Sequence, residues 1–431
     1  MGASGHTPCA QAGLSGRPGN VGRRNRLIMP LLLWNRAIVY QFSSVGLLIA
    51  LFVGRVDCYE ALAQDTPYAR GAKLVKSRDY GRAAAAFQDG IASGDARCMD
   101  YLGYLQLEGL GSKRNPRLAF DYFRKAADLG NDQAFRNLGN MYFDGRDIAC
   151  DPAEARRCWQ KATELGRDPR PALSLAQLLT VGDGVKADID LASKYWKLAG
   201  KLTAENPAFS ALSDDVTVAL AALDPNQPLD PAVKDKLQGL ASRGHVTAQG
   251  TLRFFALAES DTKTFVKDVP FVHQAYNFCG LASSTMILRS KGVATSQFDL
   301  ARKRSHHQWG QGTDWQQLVS VASQSGQKWK IVAFPYTPAG FARSKETLLA
   351  QLKSGASAII DILENESSPS AHSIVICGYD SKAGEFLARN PALSFPGFQA
   401  FSDDRLKTIW RSRGFIPKNK VLQRPLIATA G

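Results

Sequence analysis

The sequence has little from which to build a metal or nucleotide site. Its seven cysteines include no C-x-x-C pair, which argues against a structural zinc site. No G-x-x-x-x-G-K-[ST] occurs, so no ATP-binding cassette is encoded. The six histidines include the adjacent pair His306-His307, and neighbours in sequence do not turn two ring nitrogens toward one ion as i, i+4 spacing on a helix does. We read that pair as lid or surface residues and expect neither metal nor cofactor. No zinc-finger spacing or RNA-binding signature accompanies the formal charge of +14. The basic residues are spread along the chain, with local excesses at 17–26 and 405–424. They imply a solvated surface and a membrane-facing N-terminus, and no nucleic-acid partner.

The N-terminal region sets the compartment. Residues 1–36 are rich in Gly, Ser, Pro and Arg and are expected to be a disordered basic segment. Arg23, Arg24, Arg26 and Arg36 precede an uncharged run over 37–54, and Ala61-Leu62-Ala63 then offers a small-x-small exit before Gln64. Segment 37–63 therefore has the layout of a secretory signal. The competing reading is a retained anchor, since eighteen uncharged residues approach the roughly 20 of a spanning helix. Cys58 follows Arg55-Val56-Asp57, which is not a lipoprotein site. Both readings export the rest of the chain, to the periplasm or to the periplasmic face of the inner membrane. Five cysteines then remain, an odd number that leaves at least one free thiol, and Cys150 and Cys158 are near enough in sequence to consider a disulfide.

From 68 to 202 the sequence repeats. Ala83, Ala119, Ala155 and Ala192 fall at steps of 36, 36 and 37, and Gly94, Gly130 and Gly166 step by 36. Each unit reads as two short amphipathic helices with a glycine stop, opened by Asn115-Pro116 or Asp151-Pro152 as cap and first turn. One helix pair cannot bury its own apolar face, so this period predicts a solenoid. Over 203–262 the pattern weakens. A helix is expected over 213–223 and another over 234–258, where Ala241-x-x-Gly244-x-x-x-Ala248 echoes Ala127-x-x-Gly130-x-x-x-Ala134, as a degenerate cap and linker would.

The repeat segment resembles the SEL-one-like repeat family, relatives of tetratricopeptide repeats. The carrying residues are Leu138-Gly139-x-x-Tyr142-x-x-Gly145, then Asp151-Pro152-x-x-Ala155-x-x-x-Trp159-x-x-Ala162-x-x-x-Gly166. The third unit departs from the pattern at Asp168-Pro169-Arg170-Pro171. The resemblance implies a protein-binding scaffold.

The chemistry lies in the last part, 263–425. Val269-Pro270-x-x-x-Gln274 leads through a loop into Cys279-Gly280 and a helical run over 281–289. A thiol at a helix N-terminus meets free N–H groups and the positive end of the dipole, which favour the thiolate. Helices follow around 296–304, 315–324 and 345–353, with strands at 329–333, 358–363, 372–379 and 385–388. On strand 372–379, Ile374 and Ile376 share one face, and Val375 and Cys377 the other. His372 opens this strand and Asn390 lies just past its hairpin partner, so the two meet at the open end. An imidazole beside an amide oxygen is what a cysteine nucleophile needs. Trp309, Trp315, Trp329 and Trp410 read as packing residues, and His273 as facing away from Gln274.

Residues from about 267 to 395 resemble the bacteriocin-processing (double-glycine leader) peptidase family and its papain-like relatives. The resemblance rests on the Gln274 and Cys279 segments, Gly312-Thr313, the strand from His372 to Tyr379, and Asn390-Pro391. It implies Cys279 as nucleophile, His372 as general base, Asn390 as the group orienting it, and Gln274 with the Cys279 N–H as oxyanion hole. Leu281 stands where relatives often carry Pro, and Asn390 where many carry Asp. Without a following ATP cassette, the leader-peptidase-transporter role is not implied. The expected protein is thus multidomain. An α-helical solenoid precedes an α+β papain-like cysteine peptidase domain, whose N-terminal helix carries Cys and whose antiparallel sheet carries His and Asn. Its expected partners are a peptide or protein substrate, and a protein on the repeats. The alternative is a non-catalytic binding protein built on a papain-like relic.

Overall fold

The computed structural model describes residues 66–145, 147–223, 227–260, 264–304, 314–363, 371–393, 395–411 and 423–429. The expected basic segment, the expected signal or anchor, the His306-His307 pair and residues 309–313 lie outside the described residues. Among the described residues no helix is long and apolar enough to cross a membrane.

Among the described residues, eleven α-helices come first: α1 (Pro67–Lys76), α2 (Tyr80–Ala92), α3 (Ala96–Glu108), α4 (Pro116–Asp128), α5 (Asp132–Asp144), α6 (Pro152–Leu165), α7 (Pro169–Val181), α8 (Ile189–Glu205), α9 (Ala211–Ala222), α10 (Pro231–Ser242) and α11 (Val246–Ala258). The starts follow from capping chemistry. Asn115, Asp151, Asp168, Asp188 and Asp230 each accept a backbone N–H of the first turn, and in four of the five a proline stands next, where its missing N–H costs nothing. Asp168-Pro169, read from sequence as an interruption, is thus an ordinary helix start. The span 234–258 is two helices, not one, because Gly244 takes a left-handed φ of +87° between α10 and α11.

The period shows in the packing. Phe87, Phe123, Trp159 and Trp196 each stand four residues after the repeating alanine, and all are buried. The rings of Phe123 and Trp159 fill the space where Gly103 and Gly139 lack a Cβ.

The C-terminal part carries α12 (Cys279–Ser290), α13 (Gln297–Arg302), α14 (Trp315–Gln324), β1 (Trp329–Pro335), α15 (Pro338–Lys353), β2 (Ala358–Ile362), β3 (His372–Asp380), β4 (Glu385–Arg389), β5 (Gln399–Ser402), α16 (Asp403–Ile409) and β6 (Gln423–Thr429). The strands form one antiparallel sheet in the order β1-β6-β2-β3-β4-β5. β5, α16 and β6 were not read from sequence. β6 enters the sheet between β1 and β2, and its Pro425 pairs only toward β1, beyond the stretch bonded to β2.

Strand β3 is buried on both faces. Ile374 and Ile376 face a core with Phe341, Leu348 and Leu406, whereas Val375 and Cys377 face a core with Leu281, Met286 and Phe278. This second core also contains Trp159, Leu175 and Leu178 of the repeats and Phe254 of α11. The repeats and the sheet domain therefore share apolar interior. The disulfide considered from sequence does not form: Cys150 and Cys158 pack into different cores.

Candidate active site

Cys279 is the first residue of α12, and Asn277, two residues earlier, has a left-handed φ of +59° that turns the chain into the helix. The half-buried thiol rests against Ser373, the residue after His372. Burial pushes the Cys279 thiol above its ordinary value, and the negative charge of Asp361 adds to this; hydrogen bonds from Ser373 and from the Gly280 N–H act the other way. The helix N-terminus alone predicted a thiolate. Desolvation outweighs it, so in the free protein Cys279 is held toward the neutral thiol.

His372 pairs with Ile362 of β2 at the end of the sheet. Its Nε2 lies 2.6 Å from Asn390 Oδ1. The Ala392 N–H also donates to that oxygen at 3.0 Å, and Asn390 Nδ2 donates to Gln399 Oε1 at 2.9 Å, which fixes which way the carboxamide faces. The Nε2 proton therefore points at Asn390. Gln274 joins the same corner through its backbone, whose N–H donates to Pro391 O at 3.0 Å. Its side-chain oxygen is buried with no hydrogen-bond partner. His273 does point elsewhere: Nδ1 donates to Leu393 O at 2.9 Å and the ring stacks on Phe143 of α5. The structure thus gathers Gln274, Cys279, His372 and Asn390 at one end of the sheet.

Sequence reasoning missed three further groups. Asp361, opposite Ser373 in the register, accepts from Ser373 Oγ at 2.7 Å and from Trp315 Nε1 at 2.9 Å. Trp315 is buried packing, as read, but also a donor. Gln297 and Asp183 are buried and bonded to each other, 114 residues apart. An Asp opposite a Ser in a hairpin leaves no local signature, and a pair so distant in sequence leaves none at all. Among the described residues no cluster of three or more His, Cys, Asp or Glu is placed to hold a metal ion.

A helical repeat array sharing its core with an antiparallel sheet domain of papain-like layout defines the class of this protein. Comparison with known families agrees. The model of the Peptidase_C39 like family matches residues 266–416, and that of the Sel1 repeat matches 96–131, 134–166 and 172–203. The chain carries Sel1 repeats, which are protein–protein interaction modules, followed by a Peptidase_C39-like domain in its C-terminal region. Among solved structures, a Sel1 repeat protein from Oxalobacter formigenes is 24% identical over 42% of this chain and 73% of its own, with a TM-score of 0.33. Helicobacter pylori cysteine rich protein B is 21% identical over 35% of this chain and 98% of its own, with a TM-score of 0.24.

Proposed function

We propose that this chain is an exported cysteine peptidase, or a related thiol acyl-transfer enzyme, whose repeats bind a protein partner. The observation that carries the reading is the 2.6 Å pairing of His372 with Asn390, next to Ser373, to which the helix-terminal thiol of Cys279 is hydrogen-bonded. In this mechanism the unprotonated Nδ1 of His372 takes the Cys279 proton as sulfur attacks a peptide carbonyl. The Gln274 amide and the Cys279 N–H receive the developing oxyanion. The imidazolium then protonates the leaving amine, and water releases the acyl group by the reverse sequence. Asn390 keeps Nε2 protonated and the ring oriented. The substrate enters as a peptide or protein.

The neutral resting thiol favours a second reading, a non-catalytic peptide-binding domain. Iodoacetamide labelling across pH, located by mass spectrometry, separates the two. A reactive pair predicts that Cys279 is modified well below pH 8, ahead of Cys98, Cys150, Cys158 and Cys377, and that His372→Ala abolishes the advantage. Labelling of Cys279 no faster than the other thiols would put the binding module first.

A further inference from the structure

One turn of the repeat array grips both halves of the candidate site. It follows α7, at Val181–Gly184. Arg289, near the end of the helix that Cys279 opens, donates to the carbonyls of Val181 and Gly182, the latter at 3.2 Å. Those carbonyls are left over at the C-terminus of α7, where a cation is favoured. The next residue, Asp183, is 2% exposed and spends both carboxylate oxygens on Gln297: Oδ1 accepts the backbone N–H at 3.1 Å and Oδ2 the side-chain Nε2.

Gln297 is itself fully buried and passes this grip on. Its Nε2 also donates to His273 O at 2.8 Å, and its Oε1 accepts the Ala275 N–H at 2.9 Å. The amide therefore bridges the two residues flanking Gln274 as a neighbouring strand would. The bridge works in only one orientation of the amide. A carboxylate only accepts, so Asp183 compels Nε2 to face it, which leaves Oε1 for Ala275. A neutral amide in its place imposes no such choice.

We infer that Asp183, through Gln297, is a positioning residue that aims the Gln274 amide into the oxyanion site, making the repeat array a structural part of the catalytic centre. This rests on the proposed thiol chemistry. It assigns the Asp183 turn a role apart from partner binding, and predicts that the sheet domain without its repeats holds its oxyanion donor loosely.

The test uses the full exported chain and two probes. N-acetyl-glycinal adds reversibly: the Sγ–C bond forms as the S–H bond and the carbonyl π bond break, the π electron pair goes to the oxygen at the oxyanion position, and the thiol proton ends on that oxygen, giving a hemithioacetal. Iodoacetamide alkylates sulfur without building an oxyanion. The variants are Asp183→Asn, nearly isosteric, and Gln297→Leu, with Gln274→Ala as reference and hydrogen exchange at Ala275 as a direct reading of the bridge. If Asp183 positions Gln274, aldehyde affinity falls about 10-fold in Asp183→Asn, toward the larger loss in Gln274→Ala, while the alkylation rate of Cys279 is retained and Ala275 exchange accelerates. Aldehyde affinity equal to wild type in folded Asp183→Asn and Gln297→Leu overturns the inference and leaves the thiol chemistry standing. Wild type and Gln274→Ala holding the aldehyde equally weakly would overturn the oxyanion assignment, and the positioning role with it.

Discussion

The carboxamide oxygen of Asn390 lies 2.6 Å from Nε2 of His372, and the amide nitrogen of the same residue donates to Gln399 on β5. Donation thus runs in one direction through three side chains, from the imidazole through Asn390 to Gln399. With the Ala392 N–H on its oxygen and Gln399 on its nitrogen, the carboxamide presents Oδ1 to His372, which places the imidazole proton on Nε2.

This makes Asn390 testable by substitution. Asn390→Ala is expected to lower kcat about 10²-fold with little change in KM, because the ring loses its orientation and not its substrate contacts. Asn390→Asp, which still accepts from Nε2, should retain most of the rate. Gln399→Leu frees the carboxamide to turn and should fall between the two. Steady-state kinetics on a cleavable peptide would read all three, and an Asn390→Ala enzyme as fast as wild type would remove the orienting role.

Asp361 stands behind the nucleophile and opposes its ionisation. The Asp361 charge is one of the groups holding the Cys279 thiol above its ordinary value, and it is fixed there by Ser373 and Trp315. Asp361→Asn keeps the shape and removes the charge. The pH at which Cys279 becomes reactive to iodoacetamide should then move down, so labelling at pH 7 quickens. An unchanged profile would mean that the charge is screened from the sulfur and that burial alone holds the thiol neutral.

What could be read from sequence follows chain distance. Cys279 with Gln274, and His372 with Asn390, are each spaced closely enough that strand alternation and helix starts foretell their neighbourhood. The protonation of Cys279 was not legible, because a helix terminus is a local feature while burial is contributed by elements packed from elsewhere. Nor was β6, whose Gln423-Arg424-Pro425 start breaks the apolar alternation of a central strand. Asp183 lies in the turn after α7, and only the fold brings Gln297 to it.

The same burial makes Asp183 a pH-dependent cost. Desolvation, opposed by Gln297 and Arg289 and aided by Asp299, pushes its carboxyl up to about 6. The folded value lies above the unfolded one. The protonated form is therefore the better accommodated, and the stability it contributes is full below about pH 4 and lost as pH rises through about 6. Urea unfolding of wild type and Asp183→Asn at pH 4 and pH 7 isolates the effect, since Asp100, which burial also pushes up to about 6, titrates in both proteins. Wild type should lose about 2 kcal/mol relative to the variant across that interval. A difference independent of pH would show that Asp183 is already ionised at no cost, its charge met by the Gln297 donors and Arg289.

Two glycines inside helices should respond to alanine with opposite signs. Gly239 in α10 meets only the tip of Arg243, 3.9 Å from where a Cβ would stand. Gly239→Ala therefore gains helix propensity at no steric cost, about 0.5–1 kcal/mol. Gly139 in α5 would gain the same intrinsic term, but its Cβ would stand 2.5 Å from the Trp159 indole. That ring has no easy retreat: it is 3% exposed, its Nε1 donates to Asn140 at 3.0 Å, and it packs on Phe143 with centroids 5.5 Å apart. Overpacking costs of about 1–3 kcal/mol exceed the propensity gain, so Gly139→Ala should destabilise. Because Trp159 and Phe143 belong to the core shared with Phe278 and Leu281, the loss should appear in a single unfolding transition of repeats and sheet domain together. Separate transitions in Gly139→Ala, with the sheet domain melting as in wild type, would show that the shared core does not couple the two parts.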